Sequence, residues 1–290
     1  MEIIVGKTAG FCFGVKRAVE GSKKEVEAKK DIYCLGELVH NKQVILDLQK
    51  RGMKFIDNIN EVKSPHSDVI IRSHGVEKNV YEQARQKKIN LIDYTCPNLL
   101  KIHQMVEKYQ KEGFYIFLIG EQGHPEVIGT LSFCSESSCL ISEIKQVDDA
   151  INEFEKSNKD KLIVTSQTTF NIDKFNEIKG KIEKSIPKNI QIIIENTICL
   201  STKIRQDEVK ELSKQVDCMI IIGGKNSSNT KKLFDIAKDN CKNSIMIETK
   251  DEIQNNKIFG KVGIMAGAST PQESINDVIE FIKKNENVLK

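Results

Sequence analysis

The sequence predicts an α/β protein made of three similar βαβ-type units, each with a small parallel sheet, on three observations. Short Val/Ile-rich runs recur along the 290 residues. Each run leads into a polar loop and then a stretch of helical periodicity, the alternation that makes parallel sheets. Three such loops, at Cys12, Cys96 and Cys199, carry a cysteine where the helix opens, with a lysine four or five positions on at Lys16, Lys101 and Lys203.

The expected strands are residues 3–5, 69–71, 91–93, 114–119, 162–165, 192–195, 218–222, 245–247 and 262–265, with a further apolar run at 32–35. They are nearly continuous in Val, Ile and Leu, as strands buried on both faces require. Helical periodicity fills 15–29, 79–88, 99–111, 174–183, 202–214 and 230–239. The charged stretches 23–30, 153–161 and 250–257 mix both signs and read as solvated faces. The three cysteines stand about one three-strand unit apart. The expected division is therefore 1–96, 97–198 and 199–270, followed by a C-terminal helix over 271–290.

Composition excludes several classes. A net charge of +3, 6% aromatic residues and no Trp leave neither the basic footprint nor the stacking platform of a nucleic-acid binder. No apolar run approaches the roughly 20 residues that span a bilayer, and the opening Ile3-Ile4-Val5 reads as a strand, not a leader. The expected location is cytoplasmic, where thiols stay reduced, so the eight cysteines call for burial, catalysis or metal.

In open α/β sheets ligands bind beyond the carboxyl ends of the strands. Those ends collect Gly10-Phe11-Cys12, Val39-His40-Asn41, Ser73-His74-Gly75, Thr95-Cys96-Pro97, Gly123-His124-Pro125-Glu126, Ser166-Gln167-Thr168-Thr169, Thr197-Ile198-Cys199, the run 223–229 and the run 266–271. Soft thiolates favour zinc or iron–sulfur clusters. No CxxC pair is present, so Cys12, Cys96 and Cys199 read either as ligands of a cuboidal cluster with one iron lacking a protein ligand or as small buried hydrophobes. Cys34 and Cys218 lie in apolar strand patterns, Cys241 in a turn-like stretch, and Cys134 and Cys139 on a Ser-rich loop with no strand end.

The loops 225–230 and 266–271 read as anion sites or as plain helix caps. His124 and Glu126 share one tight loop suited to proton delivery, whereas His66 and His103 read as structural. Gly6-Lys7-Thr8 ends like a P-loop but lacks its first glycine, and no GxGxxG follows any strand. A bound nicotinamide or flavin is not expected.

These segments, together with Arg205-Gln206, Gly224-Lys225-Asn226-Ser227-Ser228-Asn229 and Ala266-Gly267-Ala268-Ser269, run in order over nearly the whole chain. In this the chain resembles the 4-hydroxy-3-methylbut-2-enyl diphosphate reductase family (LytB, IspH). The resemblance implies three α/β units arranged around a central iron–sulfur cluster. That cluster would be one [4Fe–4S] per chain on Cys12, Cys96 and Cys199, with one iron not ligated by protein. It implies Glu126 as proton donor, with Thr168 and His124 assisting. It also implies a substrate shell of His40, His74, His124, Thr168, Ser227, Ser228, Asn229 and Ser269.

The implied reaction removes the substrate hydroxyl with two electrons and protons, giving isopentenyl and dimethylallyl diphosphate, the last step of the methylerythritol phosphate route to isoprenoids. An external donor such as ferredoxin or flavodoxin would supply the electrons. Phe13, Tyr94, Leu200 and Ser201 depart from the family's usual residues. Rival readings are a [4Fe–4S] hydro-lyase and a non-catalytic cluster or zinc protein.

Overall fold

The computed structural model describes residues 1–28, 31–134, 136–253 and 257–285. In chain order the strands are β1 (Glu2–Val5), β2 (Ile32–Leu35), β3 (Lys54–Ile56), β4 (Asp68–Ile71), β5 (Asn90–Asp93), β6 (Tyr115–Ile119), β7 (Ser138–Ile141), β8 (Lys161–Ser166), β9 (Gln191–Ile194), β10 (Cys218–Ile222), β11 (Ser244–Ile247) and β12 (Lys261–Ala266). The α-helices are α1 (Phe13–Ala28), α2 (Lys42–Lys50), α3 (Lys78–Gln86), α4 (Pro97–Lys111), α5 (Pro125–Ser132), α6 (Val147–Lys156), α7 (Ile172–Ser185), α8 (Leu200–Ser213), α9 (Ser228–Asn240) and α10 (Gln272–Lys284). Parts of three expected stretches, at 29–30, 254–256 and 286–290, lie outside the described residues. Among the described residues no helix is long and apolar enough to cross a membrane.

Three four-stranded sheets form, in the orders β3-β2-β4-β5, β7-β6-β8-β9 and β1-β12-β10-β11, and every pairing is parallel. The sequence pattern leads one to expect three strands per unit. The short strands β3 and β7 make the difference. Lys54-Phe55-Ile56 and Ser138-Cys139-Leu140-Ile141 are sheet-edge segments too short to stand out. Cys139 therefore sits within a strand, contrary to the loop expected from its Ser-rich surroundings.

The expected unit 1–96 is not how the sheets divide. β1 pairs with β12 in the sheet of the C-terminal strands, with Ile3 opposite Val262. By chain contacts two compact units result. One comprises Met1–Lys23, Val39–Arg51 and Leu200–Lys290; the other comprises Lys24–Leu38 and Gly52–Cys199.

Central strands are covered on both faces, as alternation along a strand dictates. In the second unit Phe117 and Ile119 of β6 face Phe154 of α6 and Phe175 of α7. Ile116, the neighbour of Phe117 on the opposite face, packs with Leu99, Ile102 and Val106 of α4. In the first unit Ile220 and Ile222 of β10 pack with Ile275, Val278 and Ile282 of α10, while Met219 and Ile221 meet Val209 of α8 and Leu233 of α9.

His103 on α4 is structural, as expected. It stacks on Phe133 with ring centroids 4.2 Å apart, and both ring nitrogens are buried with no hydrogen-bond partner among the described residues. Burial lowers its pKa to about 4 against the opposing pull of Asp93 and Glu107. The ring is neutral in both states above the unfolded pKa of about 6.5. As pH falls from there towards 4, the unfolded chain takes up a proton that the folded chain refuses. Stability then drops by up to about 1.4 kcal/mol per pH unit. Urea unfolding of His103→Leu should accordingly lose about 2 kcal/mol less than the parent between pH 7 and pH 5. Parallel profiles for the two proteins would mean that the ring is not held neutral.

Candidate active site

Parallel strands deliver all their following loops to one edge of a sheet, and here the polar segments fall at two kinds of place. The first is the switch point, between the two central strands where the connections reverse direction. β2 leads to His40 and β4 to His74; β6 leads to His124 and Glu126, and β8 to Thr168; β10 leads to Ser227-Ser228-Asn229 and β12 to Ser269. The second is the edge strand beside the third strand of each sheet. β5 leads to Cys96, β9 to Cys199 and β1 to Cys12, and each cysteine immediately precedes a helix.

In the unit containing β6, His124 caps α5 by accepting the Glu126 N–H on Nδ1 at 3.1 Å. Nδ1 is thereby an acceptor, and a neutral ring carries its proton on Nε2. Glu126 is only 3% exposed. Its carboxylate receives the Thr168 backbone N–H on Oε1 at 2.5 Å and the Thr168 hydroxyl on Oε2 at 2.7 Å. His74 stands edge-on to His124, ring centroids 5.9 Å apart. Glu126 is thus bonded to Thr168 from the loop after β8 and to His124 of its own loop, and His74, from the loop after β4, adjoins His124.

Cys96 and Cys199 belong to the same unit. The Cys96 N–H donates to the Ser73 carbonyl at 3.0 Å, and Pro97 opens α4 behind it. The Cys199 N–H donates to the Thr168 carbonyl at 2.9 Å. Thr197 Oγ1, which accepts from Ser166 N at 2.8 Å, ties this loop to β8. Asn98 Nδ2 donates to Cys199 Sγ at 3.4 Å, so the residue two positions past Cys96 touches the other thiol. Sequence reasoning overlooked Asn98, although its place in the first turn of a helix opened by a cysteine was legible.

In the unit containing β10, Gly224 lets the loop after β10 lie against the His40 backbone; a methyl group there would collide with the His40 carbonyl oxygen. The same carbonyl accepts from Ser269 Oγ at 3.2 Å. Ser227 caps α9, accepting from Thr230 N. Asn229, 6% exposed, holds a buried Nδ2 with no acceptor among the described residues. An orphaned buried donor beside a helix N-terminus is what an anion site leaves when its ligand is absent. Lys232, buried one turn further on, donates to Ser228 Oγ at 2.8 Å. The sequence reading did not single out Lys232, because a lysine on a helix is ordinarily a solvated one.

Cys12 belongs here too. Its N–H donates to the Ala268 carbonyl at 3.1 Å, and Gly10 before it takes the left-handed conformation, φ 106°. The buried Arg205 spans from the Gly10 carbonyl, 2.7 Å from Nη2, to Ser201 at the start of α8. The Gly6 N–H donates to the Ile264 carbonyl, and those of Lys7 and Thr8 to the Glu208 carboxylate, which accepts from Thr8 N at 3.0 Å. That agrees with dismissing this segment as a phosphate loop.

The cysteines also separate by chemistry. Burial pushes the thiols of Cys34, Cys134, Cys139 and Cys218 up to about 12, so they remain protonated and poor ligands. Cys12, Cys96 and Cys199 form no disulfide and are part-buried. Among the described residues no three His, Cys, Asp or Glu side chains surround one single-ion position. By its chemistry, a donor set of cysteine sulfurs fits an iron–sulfur cluster.

Gly224→Ala should lower the unfolding free energy by about 1–3 kcal/mol, because backbone rather than a flexible side chain opposes the added methyl. An unchanged denaturation midpoint would show that His40 is not held by this approach.

Comparisons with known proteins identify the family. The family profile described as "LytB protein" matches residues 3–283. The 4-hydroxy-3-methylbut-2-enyl diphosphate reductase of Clostridioides difficile (strain 630) is 42% identical, covering 98% of this chain and 99% of its own. A solved structure of (E)-4-hydroxy-3-methyl-but-2-enyl diphosphate reductase, titled the terminal enzyme of the non-mevalonate pathway, is 37% identical with a TM-score of 0.70, covering 98% and 99% of the two chains. The E-1-hydroxy-2-methyl-but-2-enyl-4-diphosphate reductase from Plasmodium falciparum is 29% identical with a TM-score of 0.87, covering 100% of this chain and 90% of that one. Matched by the profile over nearly its whole length and by full-length relatives above 40% identity, the chain belongs to the LytB protein family.

Proposed function

We propose that this protein is a 4-hydroxy-3-methylbut-2-enyl diphosphate reductase, removing the allylic hydroxyl with two electrons and two protons to give isopentenyl and dimethylallyl diphosphate and water. Family membership supports the reaction. The observation that carries the assignment of roles is the buried Glu126 carboxyl gripped by Thr168 beside His124. A hydroxide is a poor leaving group at neutral pH, so the reaction needs a proton at that oxygen and an electrophile on it.

In this reading Cys12, Cys96 and Cys199 hold a [4Fe–4S] cluster through one sulfur each. When bound, such a cluster supplies electrons together with an iron site, unligated by protein, that draws on the hydroxyl oxygen. Glu126 holds the proton for the departing hydroxyl, and the Thr168 hydroxyl keeps the carboxyl oriented. His124, fixed through Nδ1, offers Nε2–H to the substrate. The diphosphate is met by Ser227, Ser228, Asn229 and Ser269 at the start of α9 and in the loop after β12, with His40 and His74 completing the shell. Lys232, donating to Ser228, adds positive charge behind the first of these. The electrons come from an external redox protein, and the site of action is the cytoplasm.

A [4Fe–4S] hydro-lyase would not consume electrons, so anaerobic turnover with dithionite and a viologen dye separates the readings. Electron uptake should be stoichiometric with substrate, and turnover without it removes the reductase. Glu126→Gln should keep the iron and sulfide content and the substrate affinity but lose about two or more orders of magnitude in kcat. Near-parental kcat would take Glu126 out of proton delivery. Cys199→Ser should yield protein with little intact cluster; full iron and sulfide content would assign the ligand elsewhere.

A further inference from the structure

Asn98 is the second residue of α4, and its carboxamide Nδ2 donates to Cys199 Sγ at 3.4 Å across 101 residues of chain. Among the described residues this sulfur is the carboxamide's one hydrogen-bond partner. Both ends of the contact are set by backbone. Cys199 N donates to the Thr168 carbonyl at 2.9 Å, and the Asn196 carboxamide accepts from Ile198 N at 3.0 Å, so the loop is fixed just ahead of the sulfur. On the other side Pro97 presets the first helical φ, and the Cys96 carbonyl accepts from Leu99 N at 2.9 Å and Leu100 N at 3.0 Å. Leu99, 1% exposed, anchors that turn in the core.

Asn98 itself is exposed, so core packing does not dictate its identity. The residue type is informative for that reason. The first turn of a helix favours acidic side chains, which meet the positive end of the dipole. α4 has none there, and Asn has the shape of Asp without its charge. A carboxylate at this place would set a negative charge against the Cys199 sulfur and offer it no proton. The amide offers an N–H instead.

We propose that Asn98 tunes the reduction potential of the cluster through Cys199, its N–H favouring the reduced form. The inference rests on Cys199 as a cluster ligand, as in the function proposed above. One-electron reduction adds one negative charge, taken from the donor, and part of it falls on the ligand sulfurs. A hydrogen bond to a sulfur strengthens as that sulfur gains charge, so it stabilises the reduced form more than the oxidised one. Hydrogen bonds to ligand sulfurs are among the factors that set cluster potentials. Asn98 acts through Cys199, as a positioning residue that holds a donor on the sulfur and makes the electron easier to accept.

The test is a redox titration of the anaerobically purified holoenzyme with soluble mediators, read by electron paramagnetic resonance of the reduced cluster. Asn98→Leu keeps the volume and removes the donor. Its reduction equilibrium should fall about tenfold, a shift of about 59 mV to more negative potential for one electron. Asn98→Asp should shift the same way and further, because it removes the donor and adds a charge beside the sulfur. A merely structural role would move the two variants oppositely, since Asp at a helix start is stabilising and Leu is not. Iron and sulfide per chain should match the parent in both.

A midpoint potential that neither substitution moves overturns the inference and leaves the ligand reading intact. A shift in Asn98→Asp without one in Asn98→Leu would be an effect of charge alone, and overturns it too. So does loss of iron and sulfide in both variants, which would make Asn98 a support of cluster assembly. A parent chain that binds no iron and sulfide removes the cluster reading itself, and the inference with it.

Discussion

Everything at the site depends on one constraint: parallel strands in a sheet all end on the same side. A chain that keeps its strands parallel must return across the sheet through a helix, and each loop that leaves a strand tip emerges beside the others. The three sheets use the constraint alike. In two of them the order by chain position is second, first, third, fourth. The third sheet repeats that pattern with β10, β11 and β12, while β1, from the start of the chain, takes the fourth place. The central pair leads to the residues proposed to meet substrate, and the edge strand beside the third leads to the cysteine.

The consequences are chemical as well as topological. A cysteine, serine or histidine that opens a helix has its own backbone committed and its side chain directed by the cap geometry. Nearby N–H groups are left to bind anions. His124 shows the economy of this arrangement, since one Nδ1 lone pair both caps α5 and decides which nitrogen carries the proton. Glu126 and Thr168 show the same coupling between loops, because the contact that orients the carboxyl also closes β6 against β8. Cys34, Cys134, Cys139 and Cys218 lie apart from this edge chemistry, and burial keeps their thiols protonated.

Much of this was legible in the residues. Central strands such as β6 and β10 are buried along their whole length, so their apolar runs announce themselves. The helix-opening cysteines and the Ser-Ser-Asn run declare a local conformation. The edge strands β3 and β7 were not legible, because each is too short to be told from a loop. Asn98, Lys232 and Arg205 escaped for a related reason. Each is an ordinary helix residue until a neighbour distant in sequence gives it a partner: Cys199 Sγ for Asn98 and the Gly10 carbonyl for Arg205.

The amino-acid sequence by itself determined the α/β class, the alternation of strand and helix, and the short motifs at strand ends, all of which rest on local periodicity and backbone preference. Tertiary structure decided that β1 crosses to complete the sheet of the C-terminal strands, so that Cys12 follows a fourth strand as Cys96 and Cys199 do. Nothing local to Glu2–Val5 encodes that choice. An apolar strand is stabilised equally by any parallel neighbour with a free edge, and only the assembled sheet shows which edge was free.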